Sequence, residues 1–259
     1  MNKLIVIGLL LSACTFLPVH VSADQITIVA DSWCPFTCEP GSESPGYMIE
    51  IAEHVFKKAG HTVVYKNVDW KKAIEETRKG KYTAIAGGYK SDSPDFVFPD
   101  KAQGVSQNVF FVKKGTAWKY TGIESLKKIK LGIVLDYSYS DQINKYISEN
   151  KGKSSVYVAK GTTPIQENID KLMKGEINAF IEDPSVYGNY CGSRNLIEVL
   201  GAVQTAGSDG LEEKNYIAFS PANPKSKEYA SILSKGLDQM RASGELKKIL
   251  SKYYMKDWE

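Results

Sequence analysis

Short apolar runs alternate with amphipathic segments along most of this chain. The run ITIVA at residues 26–30 has the length and character of a buried strand. After it, apolar residues recur at the three- and four-residue spacing of one helix face, namely Met48, Ile51, Ala52, Val55 and Phe56. Gly60 stands where it would end that helix. Strand–helix alternation of this kind predicts a parallel sheet covered by helices.

The alternation continues to the end of the chain. Further strands are predicted at 63–65, 83–87, 130–135, 156–158, 177–181 and 216–220. Further helices are predicted at 71–79, 140–148, 165–174 and 226–254, the last broken at Gly244.

Two segments match each other, KGKYTAIAGG from Lys79 and KGEINAFIED from Lys174. In each, a helix ends at Lys-Gly and a short apolar strand leads into a turn. Ligands of open α/β sheets collect outside the carboxyl ends of the strands. The two units therefore predict two binding edges that face each other across a cleft.

The order of the elements predicts two lobes. The first lobe is built from both ends of the chain, residues 24–112 and 215–259, and the second from residues 113–214. Two linking strands would form a hinge, which allows closure around a ligand.

The first 23 residues read as a secretory signal peptide. Lys3 precedes an apolar run at residues 4–11, and Val-Ser-Ala offers a small-x-small cleavage site after Ala23. The run is too short for a transmembrane helix, which needs about 20 apolar residues. An alternative is lipidation of Cys14, because Leu-Ser-Ala-Cys resembles a bacterial lipobox, although apolar residues rather than a polar tether follow it. We expect a soluble periplasmic protein.

The charge balance gives no reason to expect nucleic acid or an anionic membrane as a partner. The formal net charge of the whole chain is +3, and loss of the leader, which carries Lys3 and no acid, lowers it to +2. The arginines Arg78, Arg194 and Arg241 are scattered along the chain. We therefore expect neither nucleic acid nor an anionic membrane as a partner.

Three cysteines remain after the predicted cleavage, namely Cys34, Cys38 and Cys191. A zinc site needs about four ligands, and no second cysteine pair or histidine cluster supplies them. The spacing in WCPFTC also differs from that of thioredoxin-like motifs, which have two residues between the cysteines. In an oxidising compartment we expect a short disulfide between Cys34 and Cys38, with Cys191 free. No metal and no cofactor is expected.

Six segments together carry a resemblance to a known family. They are GYMIEI at 46–51, KGKYTAIAGG at 79–88, DFVFP at 95–99, VLDYSYS at 134–140, NAFIED at 178–183 and the tail from NPKSKEY to LSKYY. Through them the mature chain resembles the extracellular solute-binding proteins of family 3, the type II periplasmic binding proteins that commonly serve polar amino-acid ABC transporters. The resemblance implies an α/β, two-lobed fold of the periplasmic-binding-protein type, with mostly parallel sheets flanked by helices. It also implies a monomer that performs no chemistry and delivers a small-molecule ligand to an ABC permease.

One position departs from the family pattern. The family usually places an arginine after the first-lobe strand to clamp the ligand's α-carboxylate, for which a bidentate guanidinium suits better than a lysine. Here residues 87–95 contain Lys90 and no arginine. The acid that receives the ligand's amino group in the family corresponds to Asp183. This favours a small polar or cationic solute, amino-acid-like or amine, over a standard α-amino acid.

The expected site opposes residues of the two lobes. The first lobe would contribute Trp33, Tyr47, Trp70, Gly88, Tyr89 and Lys90, and the second Tyr137, Ser138, Tyr139 and Asp183. Aromatic walls near an acid can hold a cation, each contact being worth roughly 0.5–2 kcal/mol. Other interpretations stay open at this point. The aromatic residues can be core or surface packing, Asp183 can cap the helix that begins at Pro184, and the segment at 137–141 can be a plain helix start or an anion site.

Two further functions compete with transport. The same fold hosts dehydratases of cyclic carboxylic acids, although His54 and His61 flank a helix away from the predicted cleft and no nucleophile–base–acid set stands out. A ligand-binding sensor that docks to a membrane receptor is the other alternative.

Overall fold

The protein is described from a computed structural model, which covers residues 23–160 and 163–259. The strands are β1 Gln25–Ala30, β2 Thr62–Asn67, β3 Ala84–Gly88, β4 Gly104–Lys113, β5 Leu131–Val134, β6 Val156–Ala159, β7 Ala179–Glu182 and β8 Val203–Phe219. The helices are α1 Tyr47–Lys58, α2 Trp70–Arg78, α3 Ile123–Leu126, α4 Asp141–Asn150, α5 Pro164–Lys174, α6 Pro184–Ser193, α7 Ile197–Ala202, α8 Ser226–Ser243 and α9 Glu245–Lys252.

The strands form one curled sheet in the order β2-β1-β3-β8-β4-β7-β5-β6. Within β2-β1-β3 and within β7-β5-β6 the neighbouring strands are parallel. We call β2-β1-β3 with its helices the first half, and β7-β5-β6 with its helices the second half. The two repeated segments form β3 and β7, which occupy equivalent places in the two halves. The predicted mixture of α/β elements is confirmed.

Two long antiparallel strands connect the halves. β4 and β8 pair with each other, β8 also pairs with β3, and β4 also pairs with β7. The predicted lobe boundaries, at residues 112/113 and 214/215, fall inside these two strands, and they stay a prediction. Two linking strands were predicted, but the bounds of β4 and of the part of β8 before residue 216 were not, because both mix apolar and polar positions without a clear period.

The predicted apolar face of α1 is buried along its whole length. The helix begins after Gly46, whose φ is 107° and whose added Cβ would lie 2.4 Å from the backbone oxygen of Phe36. It ends before Gly60, at φ 83°, in the left-handed region that glycine adopts without strain. Gly46 therefore lets α1 begin against the Phe36 backbone, and Gly60 lets the chain leave the helix in the left-handed conformation.

The predicted signal peptide, except for Ala23, and the alternative lipidation site at Cys14 lie outside the described residues. In the part of the chain that the structure covers, no helix has both the length and the apolar character needed to cross a membrane.

Candidate functional site

A small cavity, partly open to solvent, lies where the two halves meet. The loops after β1, β2, β3 and β5 enclose it, so it lies at the carboxyl ends of parallel strands, where ligands of open α/β sheets bind. Its lining residues are Asp31, Trp33, Trp70, Ala86, Gly87, Tyr89, Asp92, Tyr137 and Ser138. We call it the central cavity.

Two tryptophans pack beside the end of β3. Gly87 has a φ of 90°, which favours glycine, and a Cβ added there would lie in ordinary contact with the ring of Trp33, at 3.5 Å. A Cβ on Gly88 would lie 3.6 Å from the ring of Trp70 and a tight 3.0 Å from Ile85. Both indole rings therefore lie close to this strand end.

A stapled loop holds Trp33. A disulfide joins Cys34 and Cys38, as predicted, and the ring of Trp33 stacks on buried Phe36 at a centroid distance of 4.0 Å and an interplanar angle of 11°. The Thr37 hydroxyl donates to the backbone oxygen of Asp31 at 2.9 Å. These contacts fix the direction in which the indole faces.

Cys191, the remaining cysteine among the described residues, is buried and unpaired, as expected.

Trp70 begins a capped helix, and Tyr89 contacts a neighbouring strand. Trp70 opens α2, which Asp69 caps by accepting the backbone N–H of Lys72 at 3.3 Å. The Tyr89 hydroxyl lies 2.9 Å from the hydroxyl of Ser106 on β4. The two rings therefore reach the central cavity from a capped helix start and from a loop that contacts β4.

Hydrogen bonds join the halves beside the central cavity. The Tyr137 hydroxyl of the second half donates to Asp31 Oδ2 at 2.7 Å. From the first half, Trp33 Nε1 donates to Glu182 Oε1 at 3.3 Å, and Glu182 ends β7 of the second half. The halves thus contact each other directly, and the cleft is closed.

Carboxylates dominate the electrostatics of this region. Burial raises the pKa of Asp31 to about 6, against the hydrogen bond from Tyr137. Burial likewise raises the pKa of Asp92 to about 6, although hydrogen bonding from the Tyr89 backbone and from Ser138 lowers it. None of the described residues that line the central cavity is basic.

Glu182 lies just behind Trp33 and is only 7% exposed. Its burial raises its pKa to about 8, and the charges of Asp183 and Asp31 act in the same direction. Hydrogen bonds from the Asp183 backbone and from the Trp33 indole lower it. Three acids therefore lose water at the junction of the halves without a basic partner at the central cavity.

The structure brings half of the predicted site residues together. Those that line the central cavity are Trp33, Trp70, Tyr89, Tyr137 and Ser138. Their contact with a ligand stays a prediction.

The other predicted residues lie outside this lining. Tyr47 is fully buried against Phe36 at the start of α1, and Gly88 lies within β3 behind the lining. Lys90 is exposed, with its Nζ 5.2 Å from the ring centroid of Tyr216. The Tyr139 hydroxyl accepts the backbone N–H of Val134 at 2.9 Å.

Asp183 is buried as the N-cap of α6. Its Oδ1 accepts the backbone N–H of Ser185 at 2.7 Å, and its Oδ2 accepts that of Gln107 at 2.8 Å. Both carboxylate oxygens of Asp183 therefore accept backbone N–H groups, as expected of a residue that caps a helix.

Sequence reasoning missed Asp31, Asp92 and Glu182 as members of the site. Position was the available signal, because Asp31 directly follows β1 and Glu182 is the last residue of β7. Strand-end acids are also common as simple caps and turn residues. Only the closed arrangement of the halves distinguishes an acid that belongs to the site from one that caps a helix or forms a turn.

Residues 26–256 match the family described as bacterial extracellular solute-binding proteins, family 3. The arginine-binding extracellular protein ArtP of Bacillus subtilis (strain 168) is 23% identical over 225 residues, which are 85% of this chain and 82% of that protein. An ABC uptake transporter substrate-binding protein from Streptococcus pneumoniae with bound histidine has a TM-score of 0.71 at 17% identity, over 90% of this chain and 93% of that chain. An ancestral arginine-binding protein bound to arginine has a TM-score of 0.69 at 22% identity, over 89% of this chain and 98% of that chain.

The structural similarities confirm the predicted periplasmic-binding-protein-like fold. The family match runs from β1 to the last residues after α9, and thus includes every strand and helix described above. The chain belongs to the bacterial extracellular solute-binding proteins of family 3.

Proposed function

We propose that this protein closes on one small polar or cationic solute in the central cavity and delivers it to an ABC permease. The single observation that carries the proposal is that both halves line this cavity. A solute held there touches Asp31, Trp33 and Asp92 of the first half together with Tyr137 and Ser138 of the second. Its binding energy therefore depends on closure of the cleft.

β4 and β8 would serve as the hinge, because they are the strands that pass between the halves. In an open form the loops after β1 and β5 separate, and the hydrogen bond from Tyr137 to Asp31 is broken. Closure restores that contact over the solute. A permease that recognises the relative position of the two halves can then distinguish a loaded protein from an empty one.

Related proteins support a nitrogen-containing solute. The curated relative is named for binding arginine, and one similar structure holds histidine. The family is extracellular, which agrees with export by the predicted signal peptide.

Thermal stability and compaction test the proposal. A panel of amines, amino acids and carboxylates is screened for stabilisation, which is expected to reach about 2.7 kcal/mol at a ligand concentration of 100 times Kd. Small-angle X-ray scattering should then show a smaller radius of gyration with the stabilising compound. In cells of the source organism that lack this protein, uptake of that compound should fall.

Tyr137→Phe removes the hydroxyl that reaches Asp31 and should weaken solute binding by about 10-fold or more, since hydrogen bonds to charged groups are worth about 1.5–3 kcal/mol. Tyr254→Phe is the matched control, because Tyr254 is 96% exposed. Equal affinity of the two variants, or stabilisation by no compound of the panel, contradicts the proposal. Conversion of a stabilising compound into a product would favour an enzyme instead.

A further inference from the structure

We propose that the solute is a compact organic ammonium ion that carries no carboxylate. This inference rests on the proposed function and narrows its ligand. It follows from the aromatic rings and acids that line the central cavity and from the places that the basic side chains of the chain occupy.

The three arginines contact other side chains away from the central cavity. Arg78 Nε donates to Asp95 Oδ2 at 2.8 Å, and Arg241 Nε donates to Asp257 Oδ2 at 2.8 Å. The guanidinium of Arg194 lies 4.4 Å from the ring centroid of its helix neighbour Tyr190. A carboxylate in the central cavity would therefore meet no guanidinium.

A carboxylate in the central cavity would meet acidic side chains instead. Asp31 and Asp92 both line the central cavity, and Glu182 lies behind Trp33. Like charges within a few ångströms repel each other strongly where water is excluded. A bound anion would add to this repulsion, whereas a bound cation removes it.

Aromatic rings make up much of the lining of the central cavity. Four aromatic side chains contribute to it, namely Trp33, Trp70, Tyr89 and Tyr137. The face of an aromatic ring attracts a cation within about 6 Å of its centroid. The indole N–H of Trp33 is used by Glu182, which leaves the ring to face the cavity.

Closure places hydroxyl groups of the second half beside both acids. The Tyr137 hydroxyl donates to Asp31, and Ser138 lines the central cavity together with Asp92. An ionised carboxylate has about four lone-pair sites, so each retains sites for N–H groups of a ligand. Two such acceptors among the rings suit an ammonium ion.

Three lysines border adjacent cavities and define the strongest competing arrangement. Lys160 lines a cavity that shares Asp31, Trp70 and Tyr137 with the central cavity. Lys90 and Lys214 line another that shares Ser138. A long amino acid whose carboxylate reached one of these lysines would bind with the opposite preference, and the test includes this outcome.

Matched pairs of ligands with and without a carboxylate test the inference directly. Three pairs differ by the carboxylate alone, namely agmatine and arginine, cadaverine and lysine, and histamine and histidine. In the fourth pair, choline has a hydroxymethyl group where glycine betaine has the carboxylate. Affinities are measured by calorimetry on the wild-type protein at pH 7.5. In at least one pair the member without the carboxylate should bind about 10-fold or more tightly than its partner, since each factor of ten corresponds to about 1.4 kcal/mol. Choline against the primary amines distinguishes a methylated ammonium ion from one that donates N–H groups.

Variants assign the charge preference to the proposed residues. Asp92→Asn and Asp31→Asn should each weaken binding of the preferred cation by about 10-fold or more, since contacts to a charged group are worth about 1.5–3 kcal/mol. Asp100→Asn is the control, because Asp100 is exposed, lies outside the central cavity and gives the same change in net charge. The variants' thermal unfolding without ligand shows that they are folded.

The outcomes separate this inference from the proposed function. If an amino acid binds more tightly than its partner without the carboxylate, and Lys160→Met, Lys90→Met or Lys214→Met weakens its binding, the inference fails and the solute-binding function stands. The inference also fails if a neutral or anionic solute is the one that binds. If no compound stabilises or compacts the protein, the proposed function falls and the inference falls with it.

Discussion

Glu182 illustrates how burial determines the behaviour of one residue. It ends an apolar strand, its side chain is covered by Trp33, and its Oε1 accepts both an indole N–H and the backbone N–H of Asp183 at 2.8 Å. Those bonds favour the charged carboxylate, but loss of water outweighs them and raises its pKa to about 8. The same loss of water acts on Asp31 and Asp92, which share the junction of the halves.

Glu182→Gln should stabilise the ligand-free protein at high pH. The pKa of Glu182 rises from an ordinary 4.5 to about 8 on folding, so the folded state binds more protons between these values and loses stability as pH rises through them. Glutamine keeps an acceptor at Oε1 and removes the charge. We expect a gain on the order of 1–4 kcal/mol at pH 9, since each pKa unit is worth about 1.4 kcal/mol, and little difference near pH 4.

Urea unfolding at several pH values measures this effect. Glu39→Gln is the control, because Glu39 is exposed in the stapled loop. A wild-type protein and a Glu182→Gln variant with parallel stability profiles would show that Glu182 is hydrated and charged.

At the scale of elements, the repeated Lys-Gly-strand segments explain the architecture. β3 and β7 each lie beside a parallel strand on one side and an antiparallel connecting strand on the other. Their carboxyl ends therefore meet at the junction, where Gly87 and Glu182 lie on opposite sides of Trp33. A local motif that occurs twice in the chain thus determines where the carboxyl ends of β3 and β7 lie.

The contact between α1 and α8 depends on one glycine. A Cβ added to Gly236 in α8 would lie 2.3 Å from Cγ1 of buried Val55 in α1. Gly236→Ala should lower the stability by about 1–3 kcal/mol through overpacking, because the gain in helix propensity, about 1 kcal/mol, is smaller.

Gly188→Ala in α6 is the matched control for Gly236→Ala. No neighbouring atom lies within 4 Å of its added Cβ, so this variant should gain about 0.5–1 kcal/mol from helix propensity alone. Urea unfolding of both variants provides the measurement. An equal gain from the two alanines would show that α1 and α8 have room between them.

At the scale of the whole molecule, closure and protonation are coupled. Closing the halves buries Asp31 beside Tyr137, Asp69 and Glu182, and it buries Asp92 beside Tyr89, Ser138 and Glu213. The charged groups that raise the pKa values of these carboxyl groups are acids, so a closed, ligand-free cleft favours their protonated forms. A bound cation supplies the missing positive charge and allows the same closure with ionised acids.

The ligand-free protein should therefore be more compact at pH 5 than at pH 9. Below the raised pKa values, about 6 for Asp31 and about 8 for Glu182, closure costs little because the acids are neutral. Above them closure buries charge, and the halves separate. The radius of gyration from small-angle X-ray scattering measures this difference, with far-UV circular dichroism to confirm that the protein is folded at both pH values.

The triple variant Asp31→Asn, Asp92→Asn and Glu182→Gln should have the same radius of gyration at pH 5 and pH 9. A pH-dependent radius that persists in this variant would assign the effect to other groups.

Much of the fold could be predicted from the sequence because its signals are local. The apolar face of α1, the ends of β1 and the break at Gly244 each depend on residues within a few positions of each other. Two linking strands were expected, but the bounds of β4 and of most of β8 were not predicted, because their pairing partners lie about a hundred residues away and the strands alternate irregularly between apolar and polar residues.

The sequence by itself determined the family, the stapled loop beside Trp33 and the absence of an arginine after β3, since all three are written in contiguous motifs. Only the tertiary structure decided which acids share the central cavity. Asp183 was predicted from its motif to bind the ligand, but both of its carboxylate oxygens accept backbone N–H groups. Asp31 and Asp92 line the cavity instead. The reason is physical: capping is a local interaction, but loss of water at the junction of two halves depends on residues that are distant in the chain.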